Sequence, residues 1–163
     1  MRLAVDTNIL FSILIGGRRL RILFLENRGR LELYTPGRMV REVERLLPKA
    51  AGHINAEPSL VREIYNTLVK PYVHIVEETG IPQAVMEEAK RLAAGVDPDD
   101  WPFVALAMFL GVPLWTGDHS ILKLSARTGY KNFIAIDTEG VELLLRGEPL
   151  DSVLERIRGK YLG

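Results

Sequence analysis

The sequence predicts an α/β protein: a three-layer α/β/α sandwich around a central, mostly parallel sheet of about five strands. Two observations carry this. Short apolar runs alternate with helical patterns from one end of the chain to the other. The apolar runs are also continuous rather than alternating, as expected of strands buried on both faces. At 163 residues the chain is long enough for one domain with a sizeable core, and it is read as a single unit spanning 1–163.

The elements follow in order. Leu3-Ala4-Val5 is a first strand, and Asn8–Ile15 and Leu20–Glu26 are helical, separated by Gly16-Gly17. Leu31–Tyr34 is a second strand, after which Thr35 is placed to cap a helix with Pro36 at its first position. That helix carries Met39, Val40, Val43, Leu46 and Leu47 at helical spacing and is expected to stop near Leu47, before Pro48. Pro58–Val69 is a further amphipathic helix, Tyr72–Val76 a strand and Pro82–Ala93 a helix ended by Gly95. An uncharged helix starts at Asp99, runs through Leu110 and is closed by Gly111. Pro113–Trp115 is a short buried strand, Asp118–Leu124 a helix and Phe133–Ile136 the last strand. Thr138–Leu145 and Leu150–Ile157 are helices, and the terminal Lys160-Tyr161-Leu162-Gly163 is expected to fray.

Composition removes whole classes of function. There is no cysteine, which excludes a disulfide framework, a thiolate zinc site, an iron–sulfur cluster and a cysteine nucleophile, and fits a reducing compartment. Lys plus Arg equals Asp plus Glu at 21 each, so any basic surface must be local. The uncharged stretch Trp101–Gly117 is broken by Gly111 and Pro113 and falls short of the ~20 apolar residues of a membrane helix. No signal peptide is read at the start, because Asp6 interrupts the apolar run. His53, His74 and His119 show no metal-ligand spacing.

Chemistry is concentrated in carboxylates. Asp6 closes the first strand, where an acid is costly unless paired or bound. Asp118 follows the buried strand Pro113–Trp115, and Asp100 lies in the first turn of the uncharged helix. In open parallel sheets these are positions at the carboxyl-end crevice where ligands bind. Glu42 and Glu44 flank the apolar stripe of their helix on opposite sides, each about 100° from its centre, so periodicity does not choose between them. Each acid also has an ordinary role: Asp100 at a helix start, Asp118 as an N-cap, Glu42 on a solvated face. Carboxylates brought together repel unless a cation neutralises them, and an all-oxygen set selects a hard ion such as Mg²⁺ or Mn²⁺.

These residues resemble the motifs of the PIN-domain ribonucleases, a fold shared by many prokaryotic toxin nucleases and RNA-processing nucleases. Leu3–Leu10, with Asp6-Thr7-Asn8 at the strand end, resembles the family's first motif. Val40-Arg41-Glu42-Val43 resembles the second and favours Glu42 over Glu44. Asp97–Ala107 resembles the third and Trp115-Thr116-Gly117-Asp118 the fourth. The resemblance covers nearly the whole chain, and places its extra length in Lys49–Lys70 and in the tail after Gly147.

The resemblance implies that Asp6, Glu42, Asp100 and Asp118 hold Mg²⁺ or Mn²⁺ and its activated water for hydrolysis of RNA phosphodiester bonds. Asn8 would hold Asp6 by a hydrogen bond or cap the following helix. Thr116 would be the hydroxyl beside the last aspartate, or a strand-end hydroxyl bonded to backbone. Asp97 and Asp99 would either bind a second ion through water or shape the turn. The arginine-rich segment Arg18–Arg30, with Arg18, Arg19 and Arg21 foremost, can flank the crevice and bind the RNA backbone, or simply be a solvated face. The expected partners are RNA, an antitoxin protein occluding the crevice, and further copies of the chain in a homodimer or higher homo-oligomer, with no membrane and a cytoplasmic location.

Two other classes compete. A non-catalytic PIN-fold module of an RNA-processing complex would share the fold, though the intact acid set argues for catalysis. A magnesium-dependent phosphatase of the haloacid-dehalogenase kind would need Asp-x-Asp after the first strand, and Asn8 occupies that third position.

Overall fold

A computed structural model describes residues 1–163. Its centre is a sheet of five parallel strands in the order β3-β2-β1-β4-β5. These are β1 (Arg2–Val5), β2 (Glu32–Pro36), β3 (Val73–Val76), β4 (Leu114–Trp115) and β5 (Ala135–Ile136). Helices α1 (Thr7–Ile15), α2 (Arg18–Asn27), α3 (Gly37–His53), α4 (Pro58–Ile64), α5 (Gln83–Ala93), α6 (Trp101–Leu110), α7 (His119–Arg127), α8 (Thr138–Leu145) and α9 (Leu150–Leu162) cover it, giving the expected three-layer α/β/α sandwich. No helix is long and apolar enough to cross a membrane.

The apolar runs form strands because both faces are covered. Leu3, Ala4, Val5, Leu33, Leu114, Trp115, Ala135 and Ile136 are all buried and belong to one contiguous core. The chain leaves β1 toward β2 and β3 on one side and toward β4 and β5 on the other. The order therefore reverses between β1 and β4, the point at which a doubly wound sheet opens its crevice. Register puts Val5 beside Trp115, so the residues after each strand, Asp6 and Thr116, emerge side by side.

Several boundaries differ from those read in the sequence. Thr35 does not cap α3, and Pro36 is not its first residue. Both extend β2, where they pair with Ile75 and Val76, and Gly37 starts the helix. Pairing with β3 outweighs the local cap signal, and the buried Thr35 hydroxyl donates to the Val5 carbonyl at 3.4 Å. Pro48 does not stop α3 either. It removes one backbone donor, but Leu47, Ala50 and Ala51 are buried around it, and their packing carries the helix on to His53. The segment Pro58–Val69 is helical only to Ile64, and Tyr65–Val69 widens into a π turn.

The last four residues are not frayed. Asp137, the buried N-cap of α8, accepts from Gly140 N–H at 2.9 Å, from Lys160 Nζ at 2.8 Å and from the Tyr161 hydroxyl at 2.8 Å. Burial alone would raise the Asp137 pKa, but these donors hold it below the ordinary carboxylate range. The carboxylate thus ties the end of α9 to the start of α8.

Candidate active site

Asp6 is the deepest of the acids. It follows β1 and is 7% exposed. As the N-cap of α1 its Oδ1 accepts from Ile9 N–H at 2.9 Å, while Oδ2 accepts from the Thr116 hydroxyl. Burial pushes its pKa up, opposed by the Thr116 and Ile9 hydrogen bonds, and the nearby Asp118 charge pushes it up further. Thr116 also accepts from Asp118 N–H at 3.0 Å, so one buried hydroxyl spans two of the acids. Asp118 caps α7, its Oδ1 accepting from Ser120 N–H at 2.7 Å and Ile121 N–H at 3.1 Å. Its capping role and its place in the crevice are therefore compatible, because capping occupies one carboxylate oxygen.

Asp100 ends a 3₁₀ turn and precedes α6 without capping it by its side chain. Its pKa is pushed up to about 6, first by burial and then by the charges of Asp97, Asp118, Asp6 and Asp99. Glu42, half-buried on α3, makes no hydrogen bond or ion pair with another side chain.

Asp6, Glu42, Asp100 and Asp118 line one crevice of about 500 Å³, together with Asn8, Asp99, Thr116, Arg38 and apolar side chains including Phe11 and Phe103. Four segments widely separated in the chain therefore converge. Glu44 is excluded from this group: it accepts from Lys70 Nζ at 2.7 Å. The choice that the helical wheel leaves open is made by a lysine 26 residues away.

The remaining expectations divide. Asn8 lines the crevice, but its side chain makes no hydrogen bond to Asp6; only its backbone N–H faces the Asp6 carboxylate and helps lower its pKa, and α1 is capped by Asp6 itself. Thr116 bonds both Asp6 and backbone. Asp97 shapes the turn, accepting from Asp99 N–H at 3.0 Å, and does not line the crevice, whereas Asp99 does. The arginines of α2 do not line it. Arg19 forms a bidentate pair with Glu142 at 2.7 and 2.9 Å, Arg21 donates to the Ile13 and Gly16 carbonyls at 3.4 and 3.3 Å, and Arg18 is exposed. The one lysine or arginine in the crevice lining is Arg38. Its signal in the sequence was its place one helical turn before Glu42, on the same side of the helix.

Every acidic donor here is an oxygen, and the Asp100 pKa is pushed up to about 6 by burial first and then by the negative charge of the neighbouring carboxylates. Both facts suit a hard divalent cation. No three of the carboxylates already form a ligand cage. An ion such as Mg²⁺ needs none, since it is usually held by one or two carboxylates and completes its shell with water.

The chain matches the family model described as PIN domain over residues 4–145. This chain belongs to the PIN-domain family. The match leaves out α9, the helix that the Asp137 clamp ties back. PIN domains are generally nucleases and typically use divalent metal ions. Among solved structures the fold is similar to VapBC2 from Rickettsia felis bound to a DNA fragment from their promoter. The TM-score is 0.60 and the identity 11%, over 84% of this chain and 98% of that chain. It is also similar to PAE2754 from Pyrobaculum aerophilum, with TM-score 0.58 and 17% identity over 98% and 96% of the two chains. At these identities the likeness is one of fold. No curated protein sequence matches the chain.

Proposed function

We propose that this PIN domain, spanning 1–163, is a metal-dependent endoribonuclease that hydrolyses RNA phosphodiester bonds with Mg²⁺ or Mn²⁺ held among Asp6, Glu42, Asp100 and Asp118. The observation that carries the reading is the convergence of these acids in one crevice, with Asp100 pushed up to about 6 by burial and neighbouring charge. A bound divalent ion supplies a polarised phosphoryl oxygen and a water that is nucleophilic near neutral pH. The chain's own groups do the rest. The Thr116 hydroxyl and the Ile9 N–H orient the Asp6 carboxylate, and the N-terminal amides of α7 fix one oxygen of Asp118. Phe11 and Phe103 limit water around the acids.

Likeness to the VapBC2 complex supports a further part of the proposal: the chain is the toxin of a toxin–antitoxin pair, acting in the cytoplasm, with an antitoxin as partner. A protein segment that fills the acidic crevice would block it.

The test is cleavage of a fluorescent single-stranded RNA with Mg²⁺, Mn²⁺ or EDTA, by wild type, Asp6→Asn and Asp118→Asn. Asn caps helices about as well as Asp, so both variants keep α1 and α7 capped and remove only charge and basicity. Metal-dependent cleavage by wild type and its loss in both variants is expected. Normal turnover by either variant refutes the site, and turnover of para-nitrophenyl phosphate without RNA cleavage refutes the substrate class.

A further inference from the structure

The acidic crevice poses an electrostatic problem for a polyanionic substrate. Its lining carries Asp6, Glu42, Asp99, Asp100 and Asp118 against the single cation Arg38. The arginine run of α2, which composition marks as the binding surface, is largely spent elsewhere on Glu142 and on backbone carbonyls. Positive charge available to a phosphate backbone must come from another part of the rim.

It is found where α3, α5 and α6 meet. Trp101, next in sequence to Asp100, is half-buried, and its ring carries two cations: the Arg38 guanidinium at 5.3 Å and the Lys90 ammonium at 4.6 Å from the centroid. These contacts hold the charged heads themselves over the indole, which fixes two positive groups side by side next to Asp100. Lys90 is exposed and has no carboxylate partner, unlike its neighbour Arg91, which pairs with Glu88 at 2.5 Å. Arg38 does have a partner, Glu78, whose two carboxylate oxygens both lie against the guanidinium. Its Nη2 donates to Glu78 Oε2 at 3.0 Å. Its Nε lies 2.5 Å from Glu78 Oε1, which is buried and accepts no hydrogen bond. The Arg38 side chain is 47% exposed against 28% for Glu78, so the guanidinium is open to an incoming anion and its pairing with Glu78 contributes little to stability.

We propose that Arg38 and Lys90, mounted on the Trp101 indole, form the phosphate-binding rim of the crevice, on which the backbone of single-stranded RNA docks beside the acids. The rim rests on the nuclease reading for the identity of its ligand. Glu78 parks the Arg38 guanidinium between substrates, and an incoming phosphate takes its place with two donors of the planar fork. Lys90 engages a neighbouring phosphate as a point charge. The strand is thereby led in from the α5 side, with its scissile segment over Asp100 and Asp6.

The experiment is binding of fluorescein-labelled single-stranded RNA by anisotropy across a salt series, in EDTA and in Ca²⁺, with cleavage in Mg²⁺ or Mn²⁺ followed in parallel. Arg38→Gln and Lys90→Gln each weaken binding and lower the slope of log affinity against log salt by about 0.7, one phosphate contact on a single strand. Glu78→Gln tightens binding, because it frees Arg38. A merely structural Arg38–Glu78 pair would instead lose affinity, or change nothing, in both partners. Arg18→Gln on α2 leaves affinity and slope as in wild type. Lys90→Gln, on an exposed helix face, keeps the test open should Arg38→Gln fold poorly. Wild-type affinity and slope in Lys90→Gln and Arg38→Gln, or their loss in Arg18→Gln, overturns the rim. Cleavage with the rim variants unaltered sinks the rim and leaves the nuclease standing. RNA held by the rim but never cleaved sinks the nuclease and leaves the rim.

Discussion

Replacing Asp100 by Asn should stabilise the metal-free protein. The side chains are nearly isosteric, so packing beside Trp101 is retained and the change is electrostatic. In the folded state Asp100 has its pKa raised from 3.8 to about 6, by burial first and then by Asp97, Asp118, Asp6 and Asp99. A carboxyl raised on folding carries a penalty when ionised, so the wild-type protein loses stability as pH climbs from about 4 through 6. The full shift would correspond to about 3 kcal/mol at 1.36 kcal/mol per unit. Because Asp100 is only half-buried, solvent screens much of this and about 1–2 kcal/mol is expected. For a chain of this size that is a rise in Tm of roughly 2–8 °C. The assay is thermal unfolding of both proteins in EDTA between pH 4 and 8. The difference should be largest at pH 8 and vanish near pH 4, where wild-type Asp100 is protonated too. Added Mn²⁺ should reverse the order by stabilising wild type more. A lower Tm for Asp100→Asn in EDTA at pH 8 would show that Asp100 is structural, and the repulsion argument for a cation site would fall.

Further outcomes follow from the same geometry. Thr116→Val keeps shape but removes the hydroxyl that bonds Asp6 and receives Asp118 N–H. Metal affinity or cleavage should drop about 10–100-fold, as for other groups that orient metal-binding side chains. Calorimetric titration with Mn²⁺ checks this, and unchanged affinity and rate would refute it. Deleting Lys160–Gly163 strips Asp137 of two of its three hydrogen-bond donors and should cost about 1–3 kcal/mol in urea unfolding at pH 7. Because Asp137 has a lowered pKa, its contribution is present above the unfolded carboxylate value and fades as pH falls through the folded one. The deletion should accordingly matter less and less as pH falls below the ordinary carboxylate range. A frayed tail would make it harmless at every pH.

Much of the candidate site is legible in the sequence alone. Asp6 stood out because an acid that ends an apolar strand needs a reason, and Asp118 because it follows another such strand. Glu42 was different. The wheel places it and Glu44 at equivalent edges of the same stripe; the motif resemblance favours Glu42, and in the fold Glu44 pairs with Lys70 while Glu42 lines the crevice. The α2 arginines, expected to flank the crevice, do not line it, and a charge run does not reveal which of its members are paired. Arg19 meets its carboxylate 123 residues later in the chain. Lys90 and Arg38 share Trp101 across three helices, a grouping without local periodicity.

Helix and strand spacing, the chain of buried apolar runs and the capping aspartates determined the layered α/β architecture, because these are properties of neighbours along the backbone. Strand order was a different matter. Placing β4 against β1 is what sets Thr116 between Asp6 and Asp118 and opens the crevice at the reversal point. The reach of α3 past Pro48, the extension of β2 through Pro36 and the seating of the chain end on Asp137 were likewise settled by packing and pairing with distant segments. Those contacts are paid in loop-closure entropy and exist only once the whole chain has folded.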